Sequence, residues 1–172
     1  MEVWDIYDAL RRPTGRTMLR GEEVAPGDYH VAVHVIIFNR AGQMLIQQRQ
    51  SCKKAFPDAW DISVGGCAIQ GENSQQAAMR EVREELGLEI ELHDTPPDMT
   101  LAFPSGFDDM YIVERELDPD VLHLQEEEVQ AVRWADREEI LEMLRKGEFV
   151  TYRPGLIHVL FDLRDHTGGL DE

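Results

Sequence analysis

The sequence predicts an α/β domain, a mixed β-sheet sandwiched between helices, and three observations carry that expectation. Val31 to Phe38 (VAVHVIIF) is a near-continuous apolar run of strand length, the pattern of a strand buried on both faces. Roughly six to eight strand-like segments are interleaved with, and followed by, helical ones, the order of a layered α/β architecture. Two helical segments carry start and stop signals at both ends. Asn73 with Gln76 opens the first and Gly87 closes it; Asp136 with Glu139 opens the second and Gly147 closes it.

Taken in order, residues 3–8 and 16–20 read as short strands joined around the turn signal Pro13-Thr14-Gly15, followed by a loop from Gly21 to Asp28. The apolar strand turns at Asn39-Arg40-Ala41-Gly42 into Met44 to Gln48, making a hairpin. A loop, Ser51 to Asp58, precedes a short strand, Trp60 to Val64, and a glycine turn at Gly65-Gly66. Ala77 to Leu86 are good helix formers. Glu89-Ile90-Glu91-Leu92 alternates with period two and reads as a half-exposed strand. Thr100 to Phe103 and Met110 to Glu116 are strands around Pro104-Ser105-Gly106, Leu117 to Glu128 is polar and turn-like, and Val129 to Ala135 is a strand. The helix from Arg137 to Lys146 ends with Arg145 and Lys146 in its last turn, as the helix dipole favours. Pro154 fits the first turn of a closing helix over about Gly155 to Asp165. The chain reads as a single domain over residues 1–172: a hairpin extension at 1–28, a core at 29–165 and a loose tail at 166–172.

The 172 residues carry 34 acidic and 17 basic side chains, a net charge of −17. That balance argues against gripping a nucleic-acid polymer through a broad basic surface. It leaves small phosphate substrates open, because bound cations and a few local bases invert the local field. Cys52 and Cys67 form no disulfide framework, the N-terminus has no signal-like apolar segment, and no apolar run reaches membrane-span length. The expectation is a cytoplasmic protein without a membrane partner.

The chemistry concentrates in Gly66 to Leu88. At about 100° per residue, Ala78, Met79, Val82 and Leu86 share one arc of the helix, with Glu81, Glu84 and Glu85 on the next. Like charges so close raise one another's pKa. A hard divalent cation relieves them, since carboxylate oxygens suit Mg²⁺ or Mn²⁺. A solvated acidic surface is the commoner fate of such a pattern. Arg80, one turn before Glu84, can pair with it.

Gly66, Glu72, Arg80, Glu81, Val82, Glu84, Glu85, Gly87 and Leu88 fill every fixed place of the pattern G-x5-E-x7-R-E-U-x-E-E-x-G-U, where U is bulky and apolar. The stretch resembles the box of the Nudix superfamily. The resemblance implies a mixed sheet sandwiched by helices, the box as loop–helix–loop, and a metal-dependent hydrolase that cleaves a diphosphate linkage in a small nucleoside diphosphate-type substrate. Glu81, Glu84 and Glu85 are then metal ligands, directly or through waters, with Glu72 accessory and the Gly66 carbonyl a further ligand. The base that takes the water's proton is Glu84 or one of Glu126, Glu127 and Glu128.

A narrower resemblance covers His30 to Trp60, which is similar to type I isopentenyl-diphosphate isomerases of the same superfamily. It matches Arg49 and Lys53 to an R-x3-K pattern that holds the diphosphate, His30 to a metal-ligating histidine, and Glu126 and Glu128 to acidic ligands. Two departures separate the chain from that branch: Gly65 stands in place of the cysteine that delivers the proton, and Cys67 in place of a histidine ligand. Two further classes stay in view: a non-catalytic sensor of diphosphate ligands, and an acidic interaction domain without metal. His34, inside the apolar strand, reads as a core histidine. The N-terminal hairpin could extend a sheet across a homodimer.

Overall fold

The structure, a computed structural model, describes residues 2–165; the tail expected at 166–172 lies outside them. Two strands, β1 (Val3–Tyr7) and β2 (Pro13–Leu19), form an antiparallel hairpin separate from the main sheet. The central strand β3 (His30–Phe38) is followed by β4 (Met44–Arg49), a short β5 (Trp60–Asp61), β6 (Val64–Cys67) and helix α1 (Ser74–Leu86). Then come β7 (Met99–Phe103), β8 (Gly106–Glu114), a 3₁₀ turn at Pro119–Val121, β9 (Val129–Ala135), and helices α2 (Arg137–Lys146) and α3 (Pro154–Asp165).

β3 runs parallel to β8, and β8 pairs antiparallel with β7. On the other side, β4 pairs antiparallel with β9. Between these halves β3 and β4 touch at one register pair, Phe38↔Met44, and then splay. The gap is filled by one bent strand, because β5 pairs with β4 and β6 pairs with β3. At the bend Ser63 is wholly buried: its hydroxyl accepts from Ile37 N at 2.8 Å and donates to Leu45 O at 2.6 Å. One side chain thus closes the backbone bonds that the splay leaves open.

Two cores explain why β3 lacks a polar face. Val31, Val33, Val35 and Ile37 face α1 and its Ala77, Ala78, Val82 and Leu86. Ile36 and Phe38 face α2 and α3, with Ile140, Met143, Ile157 and Leu160. The sheet is sandwiched between helices, as the sequence predicts.

Several boundaries differ. The first hairpin turns earlier than Pro13: the Asp8 carboxylate accepts from Leu10 N and Arg12 N, Arg11 adopts φ 60°, and Pro13 already begins β2. Glu89 to Leu92 forms no strand. Its alternation is real, with Ile90 and Leu92 buried in the α1 core, but the segment finds no ladder partner. Period two reports alternate burial, and an extended connection produces it as well as a sheet does. Gly65 and Gly66 lie inside β6 rather than in a turn.

The Ser63→Ala variant should lose about 1–3 kcal/mol, because a buried N–H and a buried C=O lose their partner together. Urea denaturation checks this, with a lower midpoint expected at an unchanged slope.

Candidate functional site

Helix α1 is fixed at both ends. Asn73 and Gln76 form the reciprocal capping box, and Gly87 closes the helix at φ 64° with its N–H on Arg83 O. Ala78, Val82 and Leu86 anchor one face in the core, which turns Glu81 and Glu85 toward β6 and β4. Glu85 is 6% exposed and accepts from Gln47 Nε2 at 3.0 Å. Burial, then the neighbouring Glu81 charge, pushes its carboxyl up to about 8. Burial also raises Glu81, partly offset by Arg80. Glu84 is more open, its side chain 46% exposed.

The two glycines of β6 serve opposite faces of the sheet. Gly66 pairs with Val33, and a Cβ on it would collide with the Glu81 carboxylate. Gly65 pairs with His34, and a Cβ there would fall 2.6 Å from His34 Cδ2. His34 is itself held, Nδ1 lying 2.7 Å from Asp108 Oδ1. His34 is thus a half-buried histidine with a hydrogen-bond partner, in keeping with the core-histidine expectation.

A cavity of about 110 Å³ collects the residues the sequence singled out from separate segments. Glu81, Glu84 and Glu85 line it together with Gly65 and Gly66. Arg49, Lys53 and Glu128 line it too, and among the described residues no apolar side chain does. Arg49 is seated by Asp61, Nη1 to Oδ2 at 3.1 Å, and by the Ala55 carbonyl at 3.3 Å from Nε. Asp61 in turn accepts from Tyr152 Oη and from Ile62 N, both at 2.8 Å. Lys53 is paired with Glu128.

Other placements differ from the sequence reading. Glu72 does not line the cavity; it takes Arg80 Nε at 2.8 Å and Nη2 at 3.0 Å. Arg80 also reaches Cys67 O, Glu81 and Glu84, each at 3.0 Å. It clamps the loop before the helix to the helix itself and does not line the cavity. Of the acidic trio, Glu128 alone lines the cavity; Glu126 and Glu127 do not. His30 is stacked on Trp4 at 4.5 Å and edge-on to Phe103, outside the cavity. Burial drives the Cys67 thiol up to about 12.

Sequence reasoning missed Glu2 and Arg20, which join the cavity wall from the hairpin and pair at 2.9 Å. The hairpin folds back on its own core, with Gln70 N on Val3 O at 2.7 Å, Gly71 N on Asp5 at 2.8 Å and Arg11 on buried Asp109. No local signal announces this, because the partners are distant in sequence.

Among the described residues no three Asp, Glu, His or Cys side chains are already gathered as a metal cage. Glu81 and Glu84 each give an oxygen to Arg80, and Glu128 one to Lys53, so a cation would compete with these ion pairs. The donor chemistry fits a hard cation nonetheless. The side-chain donors are carboxylate oxygens, Glu85 buried and Glu81 half-buried, and burial first, then the neighbouring carboxylate, raises the pKa of both. No described helix is long and apolar enough to cross a membrane.

Comparison with known proteins agrees with this geometry. Residues 28–154 match the sequence model of the NUDIX domain. The uncharacterised Nudix hydrolase lmo0368 of Listeria monocytogenes is 44% identical over 167 residues, 97% of this chain and 98% of that protein. An isopentenyl-diphosphate Delta-isomerase of Salmonella typhi is 31% identical over 150 residues, 81% and 80% of the respective chains. Among solved structures, DR0079 from Deinococcus radiodurans superposes with a TM-score of 0.76 at 24% identity, covering 92% of this chain and 99% of that one, which speaks for the fold. With the family pattern spanning most of its length and a close hydrolase relative along nearly all of it, this chain belongs to the Nudix hydrolase family.

Proposed function

We propose that this Nudix hydrolase cleaves the diphosphate linkage of a nucleoside diphosphate-type substrate with Mg²⁺ or Mn²⁺ as cofactor. The family generally hydrolyses phosphorus-containing anhydrides. One observation carries the finer reading: the carboxylates of α1 line the same cavity as Arg49 and Lys53, and none of its described lining residues has an apolar side chain. Such a space suits a charged phosphate group and little else.

A bound divalent cation would neutralise phosphate charge and acidify a coordinated water. Glu81 and Glu85, held against Gly66 and Gln47, would be the fixed ligands, with the Gly66 carbonyl within the same wall. Glu84 is the most exposed of the three helix glutamates and is tethered at one oxygen to Arg80, so it is the group best placed to take the water's proton. Arg49 would bind the substrate's phosphate in a fixed orientation because Asp61 and Ala55 seat its guanidinium. Lys53 would exchange Glu128 for the substrate, releasing that carboxylate toward the reacting phosphate. The water oxygen bonds to phosphorus as the bond to the leaving oxygen breaks.

The isomerase alternative is disfavoured by residues. The place of its proton-delivering cysteine is Gly65, where the His34 ring leaves no room for a side chain, and His30 is packed between two aromatic rings.

Two outcomes test the proposal. Glu84→Gln should lower kcat by about two to three decades, read as phosphate release across nucleoside diphosphates, nucleoside diphosphate sugars, dinucleotides and prenyl diphosphates. A change within threefold removes Glu84 from the chemistry. The second concerns Glu85 without metal. Its folded-state pKa is raised from 4.5 to about 8, so its stabilisation is complete below 4.5 and is lost as pH rises toward 8. In EDTA, Glu85→Gln should melt with the parent at pH 4 and above it at pH 8, by at least about 2–4 °C. Adding Mg²⁺ at pH 8 should stabilise the parent and not the variant.

A further inference from the structure

The catalytic cavity is walled by charged and polar side chains and glycine, so whatever the diphosphate is attached to must lie at its rim. One rim segment has unusual construction. The loop from Gln50 to Asp58 closes on itself, Arg49 N donating to Ala59 O at 2.9 Å. It is strapped to the loop before β9: Gln50 N to Glu128 O at 3.0 Å, Gln130 Nε2 to Asp58 Oδ1 at 2.7 Å, and Lys53 to Glu128. Its Ala55 carbonyl binds the Arg49 guanidinium that lines the cavity.

Phe56 follows that carbonyl directly. It adopts φ 50° and is 43% exposed, and Asp58 nearby adopts φ 61°. The left-handed region is costly for a residue with a bulky side chain. An exposed ring returns little to stability in exchange, whereas glycine or asparagine would sit there without strain. Strain held at a strapped loop, one residue from a phosphate-gripping contact, is the kind of feature that function retains.

We propose that Phe56 is a specificity residue: its exposed ring stacks on the base of a nucleoside diphosphate whose phosphates occupy the cavity. This rests on the diphosphate reading above. Every nucleobase offers a flat π-face, so an aromatic ring at the rim gives affinity with little base selectivity. Residues inside the cavity would then recognise the diphosphate, and Phe56 what it carries.

The test measures binding to the full chain with Mg²⁺ by calorimetry, using two non-hydrolysable probes: methylenediphosphonate, and adenosine 5′-(α,β-methylene)diphosphate. Phe56→Gly should melt at or above the parent temperature, since it relieves the backbone. It should bind the nucleoside probe at least about fivefold more weakly and methylenediphosphonate as the parent does. Phe56→Trp should keep the nucleoside affinity. Equal affinity of parent and Phe56→Gly for the nucleoside probe overturns the proposal. So does loss of both probes together, which would make Phe56 a prop for Arg49. Because binding is read without turnover, a parent that hydrolyses no nucleoside diphosphate would count against the proposed function and leave this measurement intact.

Discussion

Everything in this molecule's site depends on two carboxylates held out of water against a strand that has no side chains to spare. Glu81 lies where a Cβ of Gly66 would be, and Glu85 is buried beneath Gln47. Neither can turn away, because the same helix turns bury Ala78, Val82 and Leu86 in the opposite direction. Helical geometry therefore converts a core requirement into an electrostatic one: packing α1 well forces negative charge into a site where water cannot screen it. Arg80 offsets part of that charge, but it is also committed to Glu72 and the Cys67 carbonyl.

The box motif was legible because it is local. Nine fixed positions from Gly66 to Leu88 supply a close approach, a clamp, an acidic face and a helix stop, and each is set by spacing along one short stretch. The cap at Asn73, the stop at Gly87 and the alternation of β3 between two cores follow from the same short-range rules. What was not legible depends on pairings across long sequence separations. Glu2 and Arg20 reach the cavity because a hairpin folds back onto the loop at Gln70 and Gly71. The segment Glu89–Leu92 misled in the other direction, since it shows strand periodicity and has no neighbour to pair with. Glu72 misled more subtly. Its place in the motif is compatible with a metal or with Arg80, and only the fold shows that the guanidinium takes it.

The adjacent glycines of β6 show how one strand can separate two chemistries. Successive residues of a strand face opposite sides, so Gly66 makes room for Glu81 toward α1 while Gly65 makes room for the His34 ring on the other side. A side chain at either position would collide with a group that is itself fixed, by Arg80 in one case and Asp108 in the other. The second collision bears directly on the kinship with isopentenyl-diphosphate isomerases. A cysteine at position 65 of this chain would need the volume that His34 fills, so placing one there requires a change at both positions. The thiol that remains nearby, Cys67, is driven by burial to about 12 and is a poor candidate to move a proton near neutrality.

The cationic wall is built by a different logic from the acidic one. Arg49 is seated by Asp61, and Asp61 by Tyr152, which stands just before α3. Lys53 is held by Glu128 from the loop before β9. The basic groups of the cavity thus take their orientation from the C-terminal half of the chain, while the acidic groups of α1 take theirs from one helix. Under the proposed function, rotating Glu128 away from Lys53 would free a cation for substrate and an anion for the reacting centre at once. A substrate phosphate that displaces Glu128 would therefore complete both walls of the cavity in a single exchange, linking substrate entry to assembly of the full set of acidic groups.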